Sequence, residues 1–167
     1  MTAESVLALV KSFRVVTTRF WLAGGWAVDA LIGKQTRPHD DVDIAFDASD
    51  ESKIIDNFRM QGFEIVDDAR PTRFVLKKGG IQIDLHPVVF GDDGVGRQLV
   101  PGGAPFVYPK DAFGDGSING TSVPNLTAKQ LLEFHLGYTP LEKDRHNVEI
   151  LCKYLRIDLP YSYKRSQ

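Results

Sequence analysis

Three aspartates in this sequence stand where metal-assisted chemistry would need them. Asp41 and Asp43 lie on either side of Val42, in a stretch that alternates polar and apolar residues as far as Phe46. Because alternate residues of a strand face the same side, both carboxylates would share one site while Val42 and Ile44 face the core. Two like charges held so closely repel each other unless a cation joins them, and hard oxygen ligands favour Mg²⁺.

Asp84 is the third candidate carboxylate, and it too stands between apolar neighbours on an expected strand. If that strand lies beside the first, three carboxylates converge, which is enough to hold two Mg²⁺ ions for in-line phosphoryl chemistry. We therefore take Asp41, Asp43 and Asp84 as candidate catalytic residues and metal ligands. The alternative is a set of ordinary strand acids, since Asp-x-Asp is common. Replacing Asp41 or Asp43 by Asn is expected to abolish the chemistry and, without metal, to raise stability by relieving repulsion.

A Gly24-Gly25 pair lies between a short apolar run, Phe20 to Ala23, and a helical pattern that begins at Trp26. A glycine turn that opens a helix lets backbone N–H groups approach a phosphate, and the helix N-terminus adds a favourable field. Alone, the pair could equally be a simple tight turn. Its combination with an Asp-x-Asp strand and a distant third aspartate favours phosphate binding.

Charged residues near the glycine pair and the carboxylates are further candidates for the site. Arg37 and His39 precede the carboxylate strand and could contact a triphosphate, because the guanidinium fork suits phosphate oxygens. A surface arginine and a loop histidine are the alternative. Asp29 is expected to be structural and to orient a basic neighbour, whereas Asp40 is expected to point away by strand alternation. Trp26 could pack in the core or face a ligand.

The hydrophobic pattern predicts the elements that position these residues. Helices are expected at about 4–14, 26–32, 49–61, 127–136 and 141–155, and strands at 20–23, 41–46, 73–78 and 81–89. Asn125 or Thr127 is the expected cap of the fourth helix, and residues 91–124 are expected to form loops with short strands. This order indicates an α+β fold with a mixed β-sheet flanked by helices and a small helical C-terminal part.

Composition places the chain among ordinary soluble proteins and excludes several classes. With 167 residues, 43% hydrophobic content and a net charge of −2, it can bury a core but lacks the basic excess of proteins that grip nucleic acid. The single cysteine, Cys152, excludes an internal disulfide and is expected to be a buried thiol. We expect a cytoplasmic protein without a membrane partner, since no signal peptide or spanning run is apparent.

The sequence resembles the polymerase-β nucleotidyltransferase superfamily, and within it the antibiotic nucleotidyltransferases. The resemblance is most specific over residues 22–48, in Gly24-Gly25-Trp26-Ala27-Val28-Asp29 and Arg37-Pro38-His39-Asp40-Asp41-Val42-Asp43-Ile44. It is similar to the aminoglycoside 2″-adenylyltransferases, and more closely to the small lincosamide nucleotidyltransferases. The lincosamide type is favoured by Gly33-Lys34-Gln35, Phe46-Asp47-Ala48, Ile83-Asp84-Leu85-His86-Pro87 and Phe134-His135-Leu136-Gly137-Tyr138.

The resemblance implies the superfamily fold and a transferase that moves a nucleoside monophosphate, usually AMP from ATP, onto a hydroxyl of a small acceptor such as a lincosamide. Pyrophosphate leaves, two Mg²⁺ ions assist, and Asp84 is either the third ligand or the base on the hydroxyl. The implied nucleotide-binding residues are Gly24, Gly25, Arg37, His39 and Lys143. Trp26 and His86 are candidates for binding the acceptor. A solvated helix charge is the alternative for Lys143, and a buried structural histidine for His86.

The implied organisation is a nucleotidyltransferase core with acceptor-pocket loops (1–124), C-terminal helices packed on it (125–160) and a frayed tail (161–167). A homodimer is left open by analogy. Ala45 stands where lincosamide enzymes carry an acid, and residues 91–124 align poorly, which leaves the acceptor open. The alternatives are an aminoglycoside adenylyltransferase, a toxin that modifies tRNA or a protein, and a non-catalytic nucleotide-binding module. The weak net charge disfavours tRNA, and three retained aspartates disfavour the last.

Overall fold

The computed structural model describes residues 1–136 and 138–164. Its helices are α1 (Ala3–Val16), α2 (Gly24–Ile32), α3 (Glu51–Met60), α4 (Ala128–Glu133) and α5 (Glu142–Leu155). Its strands are β1 (Phe20–Ala23), β2 (Val42–Asp47), β3 (Glu64–Ala69), β4 (Arg73–Lys78), β5 (Ile81–Phe90), β6 (Gly96–Gln98), β7 (Phe106–Tyr108), β8 (Phe113–Ile118) and β9 (Thr121–Leu126). Within these described segments, no helix is both long and apolar enough to cross a membrane.

The strands form one mixed sheet in the order β3-β4-β5-β2-β1-β9-β8. The pairs β2–β5 and β1–β9 are parallel, and the other pairs along this path are antiparallel. The short β6–β7 hairpin extends from the end of β5. The expected α+β fold with a mixed sheet is therefore confirmed, and the parallel pairing sets the two aspartate-bearing strands side by side.

The two faces of the central sheet are covered differently. One face bears Phe20, whose ring stacks on Phe13 of α1 at 5.1 Å, and Phe13 in turn contacts Phe58 of α3 at 4.8 Å. The opposite face bears Trp21, whose ring lies 4.1 Å from Phe113 in β8. Trp21 and Ala23 face the same side of β1, because they alternate with Phe20. Ala23 pairs with Asp43, so this second face also bears the candidate catalytic aspartate.

Several predicted boundaries differ from those in the structure. The prediction missed β3, whose side chains are mostly exposed and show no apolar alternation, and treated β8 and β9 only as loops with short strands. Asn125 lies inside β9, where its buried amide donates to the carbonyl of Ala27 at 3.1 Å, and Thr127 is the N-cap of α4. The division expected at residue 124 therefore falls within a sheet strand.

The segment from residue 161, where a frayed tail is predicted, begins with a short turn. Tyr161–Tyr163 forms a 3₁₀ turn, and the buried Tyr163 hydroxyl donates to the carbonyl of His135 at 2.5 Å. Tyr163 therefore packs against Val148 and Cys152 of α5, whereas Tyr161 is 91% exposed. Residues 165–167, and Gly137 of the motif noted above, lie outside the described residues.

We expect Phe58→Ala to lower the free energy of unfolding by about 3 to 5 kcal/mol, because Phe58 is fully buried against Phe13 and Phe63. Met60→Ala, on the same helix at 82% exposure, is the matched control and should change it little. Urea unfolding followed by circular dichroism measures both. Equal effects of the two substitutions would contradict the assigned core.

Candidate active site

The structure brings the three predicted aspartates together in one cavity of about 420 Å³. In the parallel pairing of β2 and β5, Asp43 is the direct cross-strand partner of Asp84, so both side chains point from the same face. Asp41 precedes β2 by one residue and also lines the cavity. The spacing within one strand and the adjacency of two strands together produce the cluster.

The three carboxylates differ in their electrostatic surroundings. Burial raises the pKa of Asp41, and the negative charges of Asp43 and Asp84 raise it further. Burial and the charge of Asp43 likewise raise the pKa of Asp84. Burial also disfavours ionisation of Asp43, but a hydrogen bond from His86 and the charges of Lys143 and Arg37 outweigh it, so the pKa of Asp43 is lowered. Asp43 is thus the carboxylate that the fold holds ionised.

His86 is oriented toward Asp43 by a side chain that the sequence did not single out, Gln98. The side-chain nitrogen of Gln98 donates to the Thr72 carbonyl at 2.8 Å and lies 3.1 Å from Nδ1 of His86. The side-chain oxygen of Gln98 accepts a hydrogen bond from the Tyr108 hydroxyl at 2.7 Å. Because an amide nitrogen can only donate, Nδ1 of His86 accepts and Nε2 carries the proton. That Nε2 lies 3.3 Å from Asp43 Oδ1 and donates to it.

The glycine pair is required by close approach to the functional side chains. Gly24 begins α2 with a φ of +57°, and a methyl group there would overlap the Asp43 carboxylate. A methyl group on Gly25 would overlap the Arg37 guanidinium and the His39 ring. The pair therefore packs the start of α2 directly against a carboxylate and a cation of the cavity.

Two cationic residues that were predicted to bind the nucleotide, Arg37 and Lys143, line the same cavity as the aspartates. Arg37 lies in the segment between α2 and β2, and its buried Nε has no hydrogen-bond partner among the described residues. Lys143 lies exposed in the first turn of α5, and its charge lowers the pKa of Asp41 and of Asp43. The positive charges near the carboxylates therefore come from two separate parts of the chain, the segment between α2 and β2 and the start of α5.

Three predictions about neighbouring residues need correction. His39, predicted to bind nucleotide, is 4% exposed and does not line the cavity, because its Nε2 is bound to Asp29 at 2.6 Å. Trp26, a candidate for the acceptor, is buried against the His39 ring at 4.8 Å. Asp40 lines the cavity rather than pointing away, because β2 begins only at Val42 and strand alternation does not extend back to it.

Aromatic and apolar side chains also line the cavity, and we call this group the aromatic wall. Phe106 and Tyr108 of β7 face Phe134 just after α4, with ring centroids 6.0 Å and 4.9 Å from Phe134. Leu131 and Tyr138 belong to the same cavity lining. Residues 91–124 were predicted to form loops with short strands beside an acceptor pocket, but Phe106 and Tyr108 were not singled out as lining it, because alternation in a three-residue strand is too short a signal. The cavity thus combines charged side chains with an aromatic wall.

Solved structures with the same fold define the class of protein. The lincosamide antibiotic adenylyltransferase LnuA, solved with lincomycin bound, matches with a TM-score of 0.83 at 32% identity, covering 92% of this chain and 98% of that one. ANT(2″)-Ia, solved with adenylyl-2″-tobramycin, matches with a TM-score of 0.75 at 18% identity, covering 92% and 88%, and shares the fold. The protein is a nucleotidyltransferase with the polymerase-β-type fold.

Sequence comparison gives the family. The chain is 33% identical over 152 residues to a lincosamide resistance protein of Staphylococcus haemolyticus, covering 90% of this chain and 94% of the relative. The profile of the aminoglycoside-2″-adenylyltransferase family matches residues 5–151. The chain belongs to the aminoglycoside-2″-adenylyltransferase family, and the predicted resemblance to the antibiotic nucleotidyltransferases is confirmed.

The pKa values of Asp41 and Asp43 are shifted in opposite directions, so the two residues are expected to affect the stability of the fold differently. The raised pKa of Asp41 means that its contribution to stability is complete below the ordinary aspartate pKa and is lost as pH rises through the raised value. At neutral pH and without metal, Asp41→Asn should therefore raise the melting temperature, and this gain should shrink as the solution is acidified. Thermal unfolding in a chelator, measured across pH, tests this expectation.

The opposite sign is expected for Asp43, which revises the expectation drawn from carboxylate repulsion alone. Because the folded state lowers the pKa of Asp43, ionised Asp43 stabilises the fold above the ordinary aspartate pKa. Asp43→Asn should lower the melting temperature at neutral pH under the same conditions. A gain for both variants would mean that His86 and the two cations do not offset the repulsion.

Proposed function

We propose that this protein transfers AMP from ATP to a hydroxyl of a lincosamide-type antibiotic, with the aid of Mg²⁺ and with release of pyrophosphate. The observation that carries the proposal is the single cavity lined both by three aspartates and two cations and by an aromatic wall. The charged side chains suit a nucleoside triphosphate, and the wall suits an acceptor with an apolar side.

The three aspartates of the cavity fit Mg²⁺ that is bound together with a nucleotide. The described residues contain no group of three or more His, Cys, Asp or Glu side chains arranged as a ready-made metal site. Mg²⁺ seldom uses such a cage in phosphoryl transfer, because one or two carboxylates hold it and water and substrate phosphates complete its shell. Asp41 and Asp43 would hold it here, with Asp84 beside them. When bound, it supplies positive charge to the reacting phosphate.

Asp84 is the side chain best suited to take the proton of the acceptor hydroxyl. Its raised pKa makes it a stronger base than Asp43, whose Oδ1 already accepts from His86. As the hydroxyl oxygen forms a bond to the α-phosphorus, its proton passes to Asp84. The bond from the α-phosphorus to the bridging oxygen breaks, and pyrophosphate leaves with that electron pair.

Arg37 and Lys143 would bind the triphosphate and the departing pyrophosphate. Both line the cavity close to the aspartates, and the buried Nε of Arg37 retains an unused donor. The start of α2 at Gly24 adds backbone N–H groups beside Asp43. These groups orient the phosphates so that the acceptor hydroxyl can approach opposite the leaving group.

The aromatic wall favours a lincosamide over an aminoglycoside as acceptor. An aminoglycoside is a polycation that gains little from an aromatic and apolar wall, whereas a lincosamide joins a hydroxylated sugar to an apolar side. LnuA, solved with lincomycin bound, also covers the chain at higher identity than ANT(2″)-Ia. Asp40 and Asp144 also line the cavity and would suit an amine, so aminoglycosides form the second arm of the experiment.

We expect Asp43→Asn and Asp84→Asn each to reduce transfer by roughly 100-fold or more, since each removes a charge that acts on the reacting groups. The assay incubates ATP and MgCl₂ with lincomycin or tobramycin and detects by mass spectrometry an added mass of one AMP. Asp115→Asn, an exposed strand aspartate outside the cavity, is the matched control. Modification of tobramycin alone would overturn the acceptor, and full activity of either variant would overturn the site.

The aromatic wall is tested by two neighbouring residues of β7 with the same exposure. Phe106 lines the cavity and is 49% exposed, whereas Val107 is 48% exposed and does not line it. Phe106→Ala should raise the KM for lincomycin by about tenfold, the equivalent of 1.4 kcal/mol of lost contact, with the KM for ATP unchanged. Val107→Ala should leave both constants unchanged. Equal effects of the two substitutions would contradict the proposed acceptor wall.

A further inference from the structure

A buried carboxylate outside the cavity, Asp29 of α2, uses both of its oxygens. Oδ1 accepts from the Thr36 hydroxyl at 2.5 Å, and Oδ2 accepts from His39 Nε2 at 2.6 Å. The Asp29 and His39 side chains are each only 2% exposed, so these bonds face little competition from water. Both partners belong to the irregular segment between α2 and β2.

The direction of the hydrogen bonds extends this group to α5. A threonine hydroxyl has a single proton, and an ionised carboxylate can only accept, so Thr36 donates to Asp29. His146 Nε2 lies 2.9 Å from the Thr36 oxygen and must therefore donate to it. The result is one chain of donors that runs from α5, through Thr36, to the carboxylate of α2.

The residues held in this way are neighbours of the two cations of the cavity. Arg37 lies between Thr36 and His39, so its backbone is tied to Asp29 on both sides. Lys143 lies three residues before His146, one turn earlier on the same helix. The positions of Arg37 and Lys143 relative to each other therefore depend on contacts that neither of them makes.

We propose that Asp29, Thr36 and His146 are positioning residues that set the distance between Arg37 and Lys143 to suit a triphosphate. The inference rests on the proposed function, because the ligand of these cations is the ATP of that reaction. A purely structural role for the same contacts would lower stability without changing the affinity of correctly folded protein for ATP. The two roles are therefore separable by equilibrium binding.

Thr36 offers a sharper test than Asp29, because Thr36 is only half-buried, whereas replacement of the buried Asp29 carboxylate threatens folding. Thr36→Val keeps the shape but removes the hydroxyl, whereas Thr36→Ser keeps the hydroxyl. Thr17→Val is a matched control, because Thr17 makes the same kind of bond, 2.7 Å to Asp50, outside the cavity. Isothermal titration with MgATP in the absence of acceptor, together with thermal unfolding, gives affinity and stability for each variant.

We expect Thr36→Val to weaken MgATP binding by about tenfold, in line with the loss of the two hydrogen bonds of its hydroxyl, while Thr36→Ser stays close to wild type. Thr17→Val should lose stability and keep its affinity. In a Lys143→Ala background, Thr36→Val should weaken binding by less than it does in the wild type, because part of its effect passes through that lysine.

Unchanged affinity in Thr36→Val, or effects of Thr36→Val and Lys143→Ala that simply add, would overturn the inference while leaving the proposed function intact. Failure of the wild-type protein to bind MgATP would overturn the proposed function, and the inference with it.

Discussion

The repulsion among Asp41, Asp43 and Asp84 is the constraint around which the rest of the structure is arranged. Parallel pairing of β2 with β5 sets two of these carboxylates directly opposite each other, and the residue before β2 adds the third. Burial makes each charge more costly, and the raised pKa values of Asp41 and Asp84 record that cost. The fold tolerates the cluster because His86, Arg37 and Lys143 bring compensating contacts from three different elements.

Each compensating group is in turn held by residues outside the charged cluster. Gln98 and Tyr108 orient His86, so the residues that hold the carboxylate site also form part of the aromatic wall. Asp29 holds the segment that carries Arg37, and through Thr36 it reaches the helix that carries Lys143. Hydrogen bonds thus link the carboxylate cluster to the aromatic wall, and they link the two segments that carry the cations, so that a small α+β protein assembles the site from distant parts of its chain.

Sequence reasoning identified the local signals of this arrangement and missed the ones that depend on tertiary contacts. The glycine turn, the two-aspartate strand and Asp84 follow from strand periodicity and residue type, so they were predictable. His39 and Trp26 do not line the cavity as predicted, because the His39 ring is hydrogen-bonded to the buried Asp29 and Trp26 packs against that ring. No local sequence pattern indicates which hydrogen-bond partner a loop histidine will have. Gln98 was missed because a lone glutamine in a short hairpin strand has no periodicity to mark it.

The most direct test of the central claim is the fate of the ATP phosphates. Wild-type protein is incubated with lincomycin, MgCl₂ and ATP labelled with ³²P at either the α or the γ position, and the antibiotic and pyrophosphate are separated. A carboxylate site for nucleotidyl transfer predicts that α-label appears on the antibiotic and γ-label in pyrophosphate, both only when Mg²⁺ is present. Label from the γ position on the antibiotic, or transfer that persists in a chelator, would contradict the account.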